Sequence, residues 1–209
     1  MMSGSNSWPT TSVTLVDRMK NGNNHEAWQS FEEIYRPLLL GFCRKRLDQE
    51  ADAENVTQEI FKTVACEIGR FEYDPRRGKF RGWLGKLARN AIYREQKKPD
   101  HTHQATFEDY ELNSIGGESD AEWVDVFNLH VYTTAIERIR GDFSPDKWQA
   151  FEQVWIQQRK PSLVAKALGK PASWVSRAKY DVLQRLRAEV IYLAADAAIL
   201  SRPPLEPSS

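Results

Sequence analysis

The stretch GKFRGWLGKLARNAIYREQKK, residues 78–98, contains the helical pattern that decides the fold class. At about 100° per residue, its side chains divide between two opposite faces of a helix. One face is apolar and predicts burial against a core: Leu84, Leu87, Ala88, Ala91 and Ile92. The other face combines cations with an aromatic ring and an amide: Lys86, Arg89, Asn90, Tyr93, Arg94 and Lys97. Taken alone, such a face is an ordinary solvated surface, so the rest of the chain decides whether it binds a polyanion.

Helical periodicity also dominates the remainder of the chain, without convincing alternation of β-branched residues. Residues 26–47 and 52–68 have apolar side chains at helical spacing, and Pro37 is expected to kink or divide the first segment. Residues 72–79 form a predicted loop. The sequence therefore predicts an all-α protein of two small helical domains joined by a flexible acidic linker. The predicted bounds are 11–98 for the first domain, 99–122 for the linker, 123–192 for the second domain and 193–209 for a tail.

The formal net charge of zero conceals a strong pattern of charge along the chain. Residues 70–98 contain ten Lys or Arg and three acids, residues 99–127 contain eight acids and no Lys or Arg, and residues 157–190 contain eight Lys or Arg and two acids. Two basic blocks separated by an acidic segment predict two polyanion-binding surfaces on a tether.

Several function classes find no support in the composition. Cys43 and Cys66 form no CxxC pattern, and the four histidines are not clustered at metal-ligand spacing, so no metal or cofactor is predicted. The chain shows no signal peptide and no apolar run long enough to cross a bilayer. A cytoplasmic protein without membrane insertion is expected.

A second motif lies in PSLVAKALGKPASWVSRAKYDVLQRLR, residues 161–187. Ala165, Gly169 and Val175 have the spacing of a helix-turn-helix, in which a small residue allows close approach, glycine permits the turn and an apolar residue joins the helices. The second helix would present hydrogen-bonding side chains suited to base edges and phosphates: Ser173, Arg177, Tyr180, Gln184 and Arg187. Many three-helix cores contain a similar corner, so this motif alone is a moderate signal of DNA binding.

Together these stretches resemble the extracytoplasmic-function (ECF) sigma factors, two-domain bacterial transcription initiation factors. DAENVTQEIF at 52–61 is similar to region 2.2, GKFRGWLGKLARN at 78–90 to regions 2.3 and 2.4, and VAKALGKPASWVSRAKYDVLQRLR at 164–187 to the region 4.2 helix-turn-helix. With their order and spacing, the resemblance spans nearly all of residues 11–190. It implies a non-enzymatic protein that binds core RNA polymerase and promoter DNA and assists promoter melting.

The resemblance also assigns the site residues. Contacts with core polymerase would fall to the region 2.2 helix: Asp52, Glu54, Asn55, Gln58 and Glu59. Contacts with the −10 element would fall to the 72–79 loop and the basic helix: Arg76, Arg77, Lys79, Lys86, Arg89, Asn90, Tyr93, Arg94 and Lys97. Phe80 and Trp83 are candidate stacking residues, although a core position is favoured for Trp83. The five outward residues of the second motif would contact the −35 element, with Arg177, Tyr180 and Gln184 nearest the bases and Arg187 nearer the phosphates.

Two positions depart from the family pattern. Arg94 stands where an acid is usual, and Asp181 stands where an arginine is common. An anionic Asp181 near phosphates would weaken DNA binding unless it pairs with Arg177 or Arg185, four residues away on either side. Family members are often restrained by an anti-sigma factor or another regulator, but the sequence identifies neither.

Three alternative functions remain open. A conventional regulator would use the helix-turn-helix to bind an operator without polymerase. A helical nuclease or hydrolase would need a convergent acid-base or metal constellation, which the sequence does not show. A helical adaptor that binds only proteins would not need two basic surfaces.

Overall fold

The computed structural model describes residues 14–20, 24–71, 80–98 and 118–194. These residues form helices and contain no strand, which confirms the predicted all-α class. The helices are α1 Leu15–Lys20, α2 His25–Arg44, α3 Glu50–Glu67, α4 Phe80–Gln96, α5 Glu118–Ile139, α6 Pro145–Phe151, α7 Pro161–Leu168 and α8 Ala172–Ala194. Short 3-10 turns follow α3 and α5, at Ile68–Arg70 and Arg140–Asp142, and a π-helical turn, Glu152–Ile156, follows α6.

Helix α2 forms the centre of the first four helices. Its first turn is capped by Asn24, whose Oδ1 accepts a hydrogen bond from the Ala27 amide at 3.0 Å. Pro37 lies inside α2 and does not divide it, contrary to one of the two expected outcomes. Pro37 has no N–H group to donate to the Glu33 carbonyl one turn earlier. Both residues lie on the exposed face of the helix, where water can satisfy that carbonyl.

Aromatic rings fill the space between α2, α3 and α4. Phe31 of α2 lies with its ring centroid 5.6 Å from that of Phe61 and 6.2 Å from that of Phe80. Phe80 is fully buried. It therefore belongs to the core and is not available to stack on a base, whereas Trp83 packs against Phe71 and Phe80 as expected of a core-associated residue.

Helices α7 and α8 form the predicted helix-turn-helix. Helix α7 ends at Leu168 and is followed by Gly169, whose φ of 62° places it in the left-handed region that favours glycine. Ala165 and Val175 are both buried, in a small cluster with Ala150, Val154 and other apolar residues. Helix α8 begins at Ala172, one residue after Pro171, whose carbonyl accepts the Trp174 and Val175 amides.

The C-terminal helices share a hydrophobic core with the first four. Phe127 of α5 stacks on Tyr35 of α2 at a centroid distance of 5.8 Å, and the Tyr35 hydroxyl donates to the Leu193 carbonyl of α8 at 2.9 Å. Helix α5 begins at Glu118, within the segment expected to be linker, because the buried Trp123 and Phe127 dock its first turns on the core. Residues 99–117, most of that segment, and 195–209, most of the predicted tail, lie outside the described residues.

Candidate nucleic-acid interface

The basic face of α4 lies where the sequence predicts it. Leu84, Ala88 and Ile92 are buried on the core side, while Tyr93 is 42% exposed and Lys97 is also exposed. Lys86, Arg89, Asn90 and Arg94 are half-buried at the same surface. The ammonium of Lys97 lies 4.6 Å from the Tyr93 ring centroid, so a cation and an aromatic face are presented together. This combination suits phosphates and unstacked bases.

Asn90 has an unusual environment within this surface. Its Nδ2 atom is buried and has no hydrogen-bond partner in the described part of the chain. A buried amide donor without a partner costs about 1–3 kcal/mol.

The remaining residues predicted for the −10 element belong to the preceding loop. Arg76, Arg77 and Lys79 lie outside the described residues, so their placement stays a prediction.

The predicted polymerase-binding residues follow one side of α3. Asn55, Gln58 and Glu59 are exposed, and Asp52 and Glu54 are half-buried. Arg36 of α2 lies 2.8 Å from Glu54 through Nη2 and Oε2, a pair that no local pattern predicts because 18 residues separate the partners. Glu59 forms an exposed pair with Lys62 at 2.6 Å. Asn55 and Gln58 are therefore the residues of this face that are exposed and take no part in these two ion pairs.

Helix α8 presents the predicted DNA-reading side chains in two environments. Ser173, Arg177, Tyr180 and Arg187 are exposed. Gln184 is half-buried, and its Oε1 is buried without a hydrogen-bond partner among the described residues. The Arg177 guanidinium carbon lies 5.6 Å from the Tyr180 ring centroid. The first three turns of the helix thus offer a hydroxyl, a guanidinium and a phenol to a groove.

Asp181 is paired, and its partners differ in part from those expected. Its Oδ1 lies 2.9 Å from Arg177 Nε, which is one of the two predicted pairs. Its Oδ2 lies 3.1 Å from Lys147 Nζ of α6, a residue to which the sequence assigned no role. Arg185 instead contacts Asp142 and the buried Glu189, each at 2.8 Å. Arg138 also binds Glu189, at 2.6 Å, so this carboxylate joins α5 to α8.

The described ranges contain no group of three or more His, Cys, Asp or Glu side chains that could hold a metal ion. None of their helices has the length and apolarity that crossing a bilayer requires.

Comparison with known families matches residues 33–101 to the model of Sigma-70 region 2. This segment covers about a third of the chain and includes α3, α4 and most of α2. The match supports the resemblance for the stretches at 52–61 and 78–90. A comparison with curated proteins gives no match.

Proposed function

We propose that this chain, whose residues 33–101 match sigma-70 region 2, is a bacterial sigma factor of the ECF kind. It would bind core RNA polymerase, direct it to promoters through the −35 and −10 elements and assist melting, without catalysing a reaction itself. The observation that carries the proposal is the presence, in one chain, of the region 2 match and a C-terminal helix-turn-helix with an exposed polar face.

Residues 11–98 would act as region 2. Promoter opening needs a surface that neutralises phosphates and captures bases of the displaced strand. Lys86, Arg89, Arg94 and Lys97 would meet phosphates, while Asn90 and Tyr93 would meet unstacked bases. This division of roles is supported by the shared surface of α4, on which the half-buried Asn90 lies beside the cations and Tyr93 is 42% exposed.

The exposed side of α3 would contact core polymerase. Asn55, Gln58 and Glu59 provide amide and carboxylate groups that can pair with a basic helical surface. Glu54 would contribute less charge, because Arg36 already neutralises it.

Residues 123–192 would act as region 4 and read the −35 element as duplex DNA. A helix of this kind enters the major groove with its N-terminal residues near base edges. The exposed first turns of α8, with Ser173, Arg177 and Tyr180, fit that geometry. Core polymerase and promoter DNA are the partners of this proposal; the chemistry of the described residues does not specify an anti-sigma factor or other regulator.

The test is binding of the purified chain to bacterial core polymerase that lacks a sigma factor, measured by co-elution in gel filtration. A Gln58→Ala/Glu59→Ala variant is compared with Gln29→Ala/Glu33→Ala, which removes the same two residue types from the exposed side of α2. We expect a complex that only the first variant weakens. Tight binding to duplex DNA with no polymerase complex would instead identify an operator-binding regulator.

A further inference from the structure

Asp181 connects two helices of the C-terminal module through its two carboxylate oxygens. Oδ2 contacts Lys147 Nζ on α6 at 3.1 Å, and Oδ1 contacts Arg177 Nε one turn earlier on α8 at 2.9 Å. The Asp181 side chain is only 25% exposed, whereas that of Arg177 is 74% exposed. Asp181 is therefore a partly buried carboxylate that is fixed by Lys147 of a second helix. It binds the Nε end of the exposed Arg177 guanidinium.

This arrangement restricts how Arg177 meets a ligand. The planar guanidinium has five N–H donors, and the contact with Asp181 occupies Nε. The Tyr180 ring, 5.6 Å from the guanidinium carbon, bounds the group on another side. The contact with Asp181 does not use the two Nη groups of this side chain, which is 74% exposed. A pair of such donors matches the O6 and N7 acceptors of guanine in the major groove.

We propose that Asp181 is a positioning residue that makes Arg177 selective for a guanine in the −35 duplex. The inference rests on the proposed function and deepens it. Because the Arg177 side of the pair is 74% exposed, the ion pair is expected to contribute little to stability and to act on the orientation of the guanidinium. The charge of Asp181 is matched by Lys147 and Arg177, so it adds little repulsion toward phosphates. The fixed orientation of Arg177 therefore raises the ratio of specific to non-specific binding.

The experiment uses holoenzyme assembled from the full chain and bacterial core polymerase without sigma. Duplexes are selected from a library randomised across the −35 region, and each selected guanine is then replaced singly to measure base preference. Asp181→Asn keeps the shape of the side chain and removes its charge. Asp146→Asn is the matched control, because Asp146 lies on the same helix as Lys147 but pairs with Lys170 at 3.1 Å and not with Arg177.

We expect Arg177→Ala to abolish the preference at one guanine, and Asp181→Asn to reduce that preference by about tenfold, part of what a bidentate contact supplies. Binding of Asp181→Asn to unselected DNA should be unchanged or tighter. Adding Asp181→Asn to Arg177→Ala should change the preference no further, and Asp146→Asn should leave it intact.

Two results would overturn the inference alone: an Asp181→Asn holoenzyme that keeps the wild-type base preference, or one that binds all sequences more weakly by the same factor. The second result would identify a purely structural role. Failure of the wild-type chain to form a holoenzyme would instead contradict the proposed function, and the inference with it.

Discussion

The indole ring of Trp123, in α5, lies directly against Gly85 of α4. Its Nε1 donates a hydrogen bond to the Arg81 carbonyl, one turn before Gly85, at 2.8 Å. A Cβ atom built on Gly85 would overlap the ring and lie 2.6 Å from Trp123 Cδ1. The absence of a side chain at residue 85 is therefore what allows α5 to dock on the helix that carries the basic face.

Gly85→Ala is expected to destabilise the protein, because the added methyl group forces α4 and α5 apart. Overpacking of this kind costs about 1–3 kcal/mol. Gly82→Ala is the control: no atom lies within 4 Å of a Cβ at that exposed helical position, so alanine should stabilise by about 0.5–1 kcal/mol. Urea unfolding followed by circular dichroism measures both. Equal stability of the two variants would contradict the close contact.

Gly169→Ala is expected to destabilise the helix-turn-helix. The φ of 62° at Gly169 costs an L-residue about 1–2 kcal/mol. Gly169→Asn should cost less, since asparagine tolerates the left-handed region better than alanine. Gly141→Ala serves as control, because Gly141 has neither a positive φ nor a close neighbour. Thermal unfolding should rank the variants with alanine at residue 169 lowest, and a different order would argue against this turn geometry.

Stability is expected to decrease at mildly acid pH because of His130. Burial lowers the pKa of its imidazole, and this effect outweighs the Ile34 carbonyl and Glu137, which favour the protonated form. With a folded pKa below the unfolded value of about 6.5, the unfolded state takes up the proton first. The free energy of unfolding therefore falls as the pH drops through about 6.5 and levels off below the folded pKa.

Replacing His130 by glutamine should flatten this part of the pH profile. His25→Gln, a change at an exposed residue at the start of α2, should leave the profile as it is. Chemical denaturation at a series of pH values distinguishes the two. A profile that His130→Gln does not alter would show that another group is responsible.

Asn90→Ala is expected to separate stability from function. The substitution removes a buried Nδ2 donor that has no hydrogen-bond partner among the described residues, so the free energy of unfolding should stay constant or rise. If Asn90 contacts the displaced strand, promoter opening by the holoenzyme should nevertheless fall by about tenfold, the order of one lost hydrogen bond to a base. Thermal unfolding and permanganate reactivity of promoter thymines provide the two readouts. If the variant loses both thermal stability and promoter opening, Asn90 is a structural residue.

Local patterns in the sequence determined those features of this protein that depend on residues close together in the chain. The two faces of α4 and the helix-turn-helix at Ala165, Gly169 and Val175 depend on residues within a few turns of each other. Over such short distances, helical spacing alone decides which side chains share a face. The same holds for the Arg177–Asp181 pair at i, i+4. Helical spacing by itself therefore placed the five predicted DNA contacts on one side of α8, where four of them are exposed and Gln184 is half-buried.

Only the tertiary structure decided which helices meet and at which residues. Trp123 lies 38 residues from Gly85, Lys147 lies 34 residues from Asp181, and Glu54 lies 18 residues from Arg36. Such contacts depend on the angle and register at which helices pack, and many packings are compatible with the same amphipathic pattern. For this reason the sequence indicated a basic helix and a reading helix, while the anchoring of Arg177 through Lys147 and the docking of α5 on Gly85 emerged only from the fold.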